Sequence, residues 1–385
     1  IVQPEHLSPQ LSAQVCGQCH SAYEPYLTTN KPTAKPNYVI YHGWPYRPGQ
    51  DLTETRLIVQ DTEEKRKLPM MQDVLNHPTF MGRRFWSDGM IRIAGREYNG
   101  LIETPCYTHG DEEAGIMTCL SCHNMHMDAD DPRSLADWSN DQLQRGMEGN
   151  QACLQCHASF ATNLQDHTHH EPDSTGSLCY NCHMPHTTYG LLKAIRSHLV
   201  DSPNVAQSVE TGRPNACNLC HLNTTMAWSA QHLKEWYGIA QPVLDANDRS
   251  IAASVIWLLS GDAAQRALIA WSMGWKSAQQ ASGTEWMVPY LAQLLEDPYA
   301  AVRYITYRSL RQLPAYRHLQ YDFDGPTEQG RQTAQQVRTM WEQAKDTTKL
   351  QTAQAVLIDA QGALDQDTLT HLLQQRDDRV IVLEE

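Results

Sequence analysis

Five copies of one motif constrain this chain more than any other feature of its sequence. Ten of the eleven cysteines fall into five C-x-x-C pairs, and a histidine directly follows each pair. With 18 histidines in 385 residues, five such histidines in five copies would arise by chance roughly twice in ten million trials. One chemistry should therefore explain all five copies, which are Cys16-Gly-Gln-Cys19-His20, Cys119-Leu-Ser-Cys122-His123, Cys153-Leu-Gln-Cys156-His157, Cys179-Tyr-Asn-Cys182-His183 and Cys217-Asn-Leu-Cys220-His221.

The C-x-x-C-H pattern is the attachment signature of a c-type haem. Its two thiols form thioethers to the porphyrin vinyl groups, and the adjacent histidine is placed to bind the iron. Structural zinc and thioredoxin-like redox chemistry are the alternatives, but neither requires a histidine after every second cysteine. The sequence therefore predicts five covalently bound haem c groups, with His20, His123, His157, His183 and His221 as proximal ligands.

Composition and charge limit the cellular setting and the partners. The formal charge of −14 and the pI near 5.7 argue against nucleic acid or anionic lipid as the main partner, because both require a basic surface. No membrane span is expected, since the most apolar stretch, 251–275, is interrupted by Asp262, Gln265 and Arg266. Thioether attachment takes place outside the cytoplasm, and the chain starts at Ile1 without an apolar leader. We therefore expect an exported, periplasmic or extracellular protein with its signal peptide removed, although a truncated chain would look the same.

The histidines outside the motifs supply candidates for the sixth iron position. Ten of them lie among residues 1–225, enough for five bis-histidine, low-spin irons. The leading candidates are His126, which should reach a neighbouring haem, His198, which we expect on the fourth or fifth iron, and the cluster His167-Thr-His169-His170. The less well placed candidates are His186, His109, His77, His42 and His6.

Two sulfur side chains outside the motifs have competing interpretations. Met184 could bind an iron axially, but packing against a haem is the simpler role. Cys106, the eleventh cysteine, is predicted to be a small buried apolar side chain. The functional alternatives for Cys106 are a thioether, a metal ligand beside His109, or a reactive thiol.

The sequence predicts two domains in a mainly α-helical chain with much irregular structure. Residues 1–225 form the predicted pentahaem cytochrome c domain, in which residues 21–118 carry no motif and form a lid or subdomain. Only 41% of the residues are hydrophobic, so the haems are expected to supply much of the core volume of this domain. Residues 226–385 contain no cysteine and show helical periodicity, with Asp262 predicted as an N-cap and Pro298 at the first position of a helix. The stretch "LLEDPYAAVRYITYRSLRQL" predicts a HEAT-like unit, with a plain helical bundle as the alternative.

Several stretches resemble known proteins. The segments "REYNGLIETPCY", "CLSCHNMH", "HTHHEPDSTGSLCYNCHMPHTTYGLLKAIRSH", "TGRPNACNLCH" and "LLEDPYAAVRY" resemble bacterial multihaem c-type cytochromes that carry a C-terminal HEAT-like helical domain. At the haem end they are similar to the cytochrome c-554 and doubled-CXXCH families. The resemblance implies a periplasmic or extracellular electron carrier, with histidines of the "RSH" and "HTHH" segments as distal ligands.

Two functional hypotheses remain from the sequence. The first is an electron-transfer protein with closely stacked, mostly bis-histidine haems, serving redox partner proteins that include other multihaem cytochromes or further copies of the chain. The second is an oxidoreductase that acts on a small nitrogen or sulfur oxyanion at one open haem. The C-x-x-C-Lys attachment typical of pentahaem nitrite reductases is absent, which favours electron transfer. Polymerisation through a distal histidine donated across an interface is a variant of the first hypothesis.

Overall fold

The chain folds into short helices joined by long irregular segments. A computed structural model describes residues 2–26, 45–110, 115–346, 350, 354–359 and 361–381. The predicted mainly helical fold with much irregular structure is confirmed. The chain forms two compact units, Ile1–Met184 with Ser197–Asp201, and Pro185–Arg196 with Ser202–Glu385.

In its described residues, the first unit contains helices of four to nine residues and one pair of short strands. Strands β1 (Tyr23–Pro25) and β2 (Arg56–Ile58) pair antiparallel. The longest helix, α1, begins after Ser8, whose hydroxyl accepts a hydrogen bond from Leu11 N, and Pro9 occupies its first turn. The helices are α1 (Pro9–Gly17), α2 (Pro69–Asn76), α3 (Phe80–Arg84), α4 (Glu97–Leu101), α5 (Pro105–Thr108), α6 (Leu135–Ser139), α7 (Gln151–Leu154), α8 (Leu164–Thr168) and α9 (Cys179–His183).

A small apolar cluster joins α1 to the predicted lid. Ala13 of α1 packs with side chains from the described part of 21–118, namely Tyr46, Leu52, Ile58, Tyr98 and Leu101. Residues predicted as a separate lid therefore share one core with the helix that leads into the first motif.

In its described residues, the second unit contains the longer helices. Strands β3 (Thr188–Gly190) and β4 (Lys193–Ile195) form an antiparallel hairpin ahead of them. The helices are α10 (Val205–Thr211), α11 (Ala216–Cys220), α12 (Met226–Tyr237), α13 (Ala246–Ser250), α14 (Ala253–Ser260), α15 (Ala263–Gly274), α16 (Lys276–Ser282), α17 (Met287–Leu294), α18 (Ala300–Leu310), α19 (Thr327–Ala344) and α20 (Gln366–Gln374). Among the described residues, no helix has both the length and the apolarity needed to cross a bilayer.

Helix caps in the second unit follow local sequence signals. Asp262 accepts hydrogen bonds from Ala264 N and Gln265 N, and the Gln265 side chain accepts one from Asp262 N, so the predicted N-cap of α15 is a capping box. The prediction that Pro298 occupies the first position of a helix is wrong. Helix α18 begins at Ala300, because Asp297 binds Tyr299 N at 2.9 Å and the helical turn starts only after that contact.

The compact units and the predicted domains differ in one respect. The fifth motif, at residues 217–221, belongs to the second unit, whereas the other four motifs lie in the first. The functional boundary after residue 225 and the HEAT-like nature of the region beyond it stay predictions.

Candidate metal centres

Each motif is folded into a single helical turn. The backbone N–H of the motif histidine donates to the carbonyl of the first cysteine in four copies, at 2.8 to 2.9 Å, and the fourth copy is helix α9 itself. Residues three and four positions apart lie on the same face of a helix. The turn therefore presents both thiols and the imidazole toward one side, as attachment of a planar macrocycle requires.

Hydrogen bonds at Nδ1 orient three of the motif histidines. His123 Nδ1 donates to the carbonyl of Asp141 at 2.8 Å, and His183 Nδ1 donates to the carbonyl of Asp201 at 2.8 Å. Both imidazoles must carry their proton on Nδ1, because a carbonyl oxygen only accepts. This tautomer leaves Nε2 as the nitrogen with a lone pair, which is the arrangement of a metal-binding histidine with a backbone partner.

His20 differs in having a carboxylate partner. Its Nδ1 lies 2.8 Å from Glu97 Oε2. Burial opposes ionisation of the Glu97 carboxyl, but the hydrogen bond with His20 and the nearby charge of His198 lower its pKa to about 2. The same contact raises the pKa of His20. No sequence pattern indicated Glu97, which lies 77 residues from His20 along the chain.

Two pairs of imidazoles face each other with nearly parallel rings. The ring centroids of His123 and His198 are 6.2 Å apart at an interplanar angle of 23°, and those of His167 and His183 are 6.1 Å apart at 5°. Two imidazoles bound to opposite sides of one metal, with metal–nitrogen bonds of about 2 Å, would place their ring centres roughly 6 Å apart. Each pair combines one motif histidine with one histidine from outside the motifs. The residues present therefore fit a bis-histidine haem at the second and the fourth motif.

The four motifs of the first unit adjoin one another. A hydrogen bond between the Cys16 and Cys119 thiols lowers the pKa of Cys16 to about 7 and raises the pKa of Cys119. An equivalent bond between Cys153 and Cys179 lowers the pKa of Cys179 to about 7 and raises the pKa of Cys153.

The second and third motifs are also neighbours. Cys122 and Cys156 interact electrostatically, and burial raises the pKa of Cys122. The first four motifs thus form a continuous series in chain order.

The remaining predicted distal ligands have varied surroundings. His126 is exposed, and so is His169, which occupies a left-handed position with φ of 55° at the end of α8. His170 Nδ1 contacts the Thr168 carbonyl at 2.6 Å. From this cluster, therefore, it is His167 that faces a motif histidine. His198 faces His123 of the second motif, in a different position from the one expected on the fourth or fifth iron.

An aromatic pocket surrounds His186 in the second unit. Its ring centroid lies 4.6 Å from that of Trp271 and 4.9 Å from that of Trp275, and burial lowers the pKa of His186 well below its usual range. The fifth motif histidine, His221, packs against Trp228 at 4.9 Å.

The other candidates lie at or near the surface of the first unit or outside the described part of the chain. His6, His77 and His109 are exposed, whereas His42 lies outside the described residues. His157 of the third motif is also exposed, with its ring 6.4 Å from that of Phe160. Burial raises the pKa of the half-buried Cys106 thiol, which interacts electrostatically with Cys156.

The cysteine, histidine and carboxylate side chains of the described residues do not converge on one point. A structural zinc ion needs four donors around one point. In the part of the chain that the structure describes, no group of three or more His, Cys, Asp or Glu side chains is arranged to hold a metal ion.

Comparisons with known proteins give little. No family model matches this chain, and no curated protein does. The crystal structure of the outer cell wall cytochrome OcwA is similar at a TM-score of 0.38 and 17% sequence identity, over 78% of this chain and 64% of that protein. The chain thus spans 64% of the length of that cytochrome, and a likeness this distant carries no functional information.

Proposed function

We propose that this chain is a multihaem c-type cytochrome that carries electrons between redox partner proteins in the periplasm or outside the cell. Five haem c groups, when bound, would supply the one-electron chemistry. Cys16, Cys19, Cys119, Cys122, Cys153, Cys156, Cys179, Cys182, Cys217 and Cys220 would attach them, and the five motif histidines would bind their irons.

The observation that carries this proposal is the pair of facing imidazoles at two motifs. His198 opposite His123 and His167 opposite His183 would close both axial positions of two irons. Closed, six-coordinate iron suits electron transfer better than binding of a substrate. The adjoining motifs of the first unit support short distances between successive groups, with the fifth haem carried by the second unit.

The surroundings of the motifs also fit such groups. The Tyr46 hydroxyl and the Trp138 indole N–H are buried and have no hydrogen-bond acceptor among the described residues. Tyr46 lies within electrostatic range of Cys16, and Trp138 belongs to the segment that precedes the Asp141 carbonyl bound to His123. Buried donors of this kind are satisfied by a carboxylate such as a haem propionate.

Low-temperature EPR of the oxidised holoprotein, combined with single substitutions, tests the proposal. We expect only low-spin ferric signals in the native protein. His198→Gly and His167→Gly should each convert one iron to a high-spin state, because each removes the distal ligand from one centre. The control variants are His126→Gly and His169→Gly, which remove exposed histidines close in sequence to His123 and His167 and should leave the spectrum unchanged.

Two results would overturn the proposal. Mass spectrometry that detects no covalently bound haem would show that the chain does not carry the proposed cofactor. A high-spin signal in the native protein that shifts with nitrite, hydroxylamine or cyanide would identify an open site and make the chain an oxidoreductase on a small nitrogen or sulfur oxyanion. The partners would then be substrates as well as other cytochromes or further copies of the chain.

A further inference from the structure

The three described Nδ1 contacts of the motif histidines are not equivalent. His123 and His183 donate to backbone carbonyls, whereas His20 donates to the side chain of Glu97, with all three distances at 2.8 Å. A carbonyl offers a dipole and a carboxylate offers a full negative charge. The first motif therefore has a different electrostatic environment from the second and the fourth.

Glu97 and the helix that carries it are held in place by three further contacts. Glu97 Oε1 accepts a hydrogen bond from Gly95 N at 2.8 Å, so both carboxylate oxygens are occupied. Tyr98 N, the next residue of α4, donates to the carbonyl of His20 at 2.9 Å. The Tyr98 ring covers Gly17 inside the motif, where an added Cβ would meet the ring at 2.9 Å. Helix α4 thus clamps the first motif and holds Glu97 against its imidazole.

A charged partner changes what the imidazole does to its metal. A hydrogen bond from Nδ1–H to a carboxylate increases the basicity of the opposite nitrogen and fixes the ring orientation. The Glu97 side chain is 23% exposed, so water screens its charge only in part. The greater basicity of the iron-binding nitrogen and the negative charge of the carboxylate both stabilise ferric iron more than ferrous iron, because the ferric state carries one more positive charge.

We propose that Glu97 is a positioning residue that orients His20 and lowers the reduction potential of the haem at the first motif below those at the second and fourth. This inference rests on the proposed function. Among these three haems, the one at the first motif would be the last to accept an electron.

Potentiometric titration of the holoprotein, followed by EPR and visible absorption, tests this role. Glu97→Gln keeps a hydrogen-bond acceptor of the same shape and removes the charge. We expect the largest rise at one of the five potentials, with a change of roughly tenfold in the equilibrium constant for reduction, a magnitude at the lower end of the 10- to 100-fold losses of metal affinity or activity that follow mutation of such outer partners. Each tenfold change corresponds to 59 mV for a one-electron couple. The spin states should stay low-spin, since the axial ligands are retained.

Glu103→Gln is the matched control. Glu103 follows α4 by two residues, and its carboxylate accepts from the Gln60 side chain at 3.2 Å rather than from a motif histidine. The substitution makes the same chemical change as Glu97→Gln and should leave all five potentials unchanged. An equal shift in both variants would mean a general charge effect and would overturn the role of Glu97.

Further outcomes separate this inference from the proposed function. Five retained haems with no potential shift in Glu97→Gln would overturn the inference alone, whereas absence of covalent haem in the native protein would overturn the function itself. If the Glu97→Gln variant loses haem, Glu97→Asp provides the second test. It keeps the negative charge but shortens the side chain by one methylene group, which moves the carboxylate away from His20. The same potential should then rise by less than tenfold, and an unchanged potential would overturn the inference.

Discussion

The motif region and the C-terminal helices build their interiors in opposite ways. Between Leu101 and Tyr189, which spans three of the five motifs, Trp138 and Pro185 are the buried apolar side chains among the described residues. In α14 to α18, by contrast, apolar side chains such as Leu258, Leu268 and Leu291 have no exposed surface at all. The helices of the second unit carry their own core. The motif region has few buried apolar side chains of its own, and in the proposed function the haems would supply the rest of its interior.

The largest effect should come from withholding haem. If the full chain is produced without haem attachment, amide hydrogens between residues 101 and 189 should exchange with opening free energies near zero, because almost no apolar core remains to protect them. Helices α14, α15 and α17 should stay protected. Hydrogen exchange followed by mass spectrometry measures both regions in one sample. An equal loss of protection in the C-terminal helices would contradict the proposed difference between the interiors of the two regions.

A second prediction concerns the ion pair inside the C-terminal helices. Arg266 Nε lies 2.7 Å from Asp297 Oδ2, and the two side chains are 1% and 0% exposed. Arg266→Ala leaves the Asp297 charge buried without this partner and should reduce the free energy of unfolding by about 3–5 kcal/mol. Urea unfolding followed by far-UV circular dichroism measures the change.

The control for that ion pair is Arg331→Ala. Arg331 contacts Glu328 at 3.3 Å, but both side chains are more than half exposed. The substitution should therefore reduce the free energy of unfolding by less than about 1 kcal/mol. The haem absorption spectrum of either variant should match that of the native protein. If Arg266→Ala reduces the free energy of unfolding as little as Arg331→Ala does, the ion pair would not lie in a well-packed core that excludes water.

The smallest predicted effect is a pH dependence in the first unit. Burial lowers the pKa of the Lys65 ammonium to about 8 from the usual 10.5, and its Nζ donates to the carbonyl of Ile58 at 2.6 Å. Between these two pH values the unfolded chain binds a proton that the folded chain has released. Stability should therefore rise as the pH increases from about 8 toward 10.5.

Thermal unfolding of the holoprotein between pH 7 and pH 10 measures this rise. Lys65→Met should remove it, since no ammonium is then buried. Lys67→Met replaces an exposed lysine two residues away and should leave the rise intact. Equal pH profiles for the two variants would assign the effect to other groups.

Local features of the fold followed from the sequence, and contacts between distant segments did not. The C-x-x-C-H spacing predicted five turns that present two thiols and one imidazole, and the capping box at Asp262 was also readable from the sequence. The choice of His167 over His169 and His170 was not readable, because it depends on the left-handed backbone at His169. Three histidines in four residues give the same pattern whichever of them faces His183.

The sequence by itself determined the local form of each predicted attachment site, because the two cysteines and the histidine of each motif share one helical turn and need no distant partner. Only the tertiary structure decided which imidazole faces which, and that His20 meets a carboxylate while His123 and His183 meet carbonyls. Those contacts join residues up to 77 positions apart along the chain. Irregular segments bring them together, and such segments have no periodicity from which a fold can be predicted.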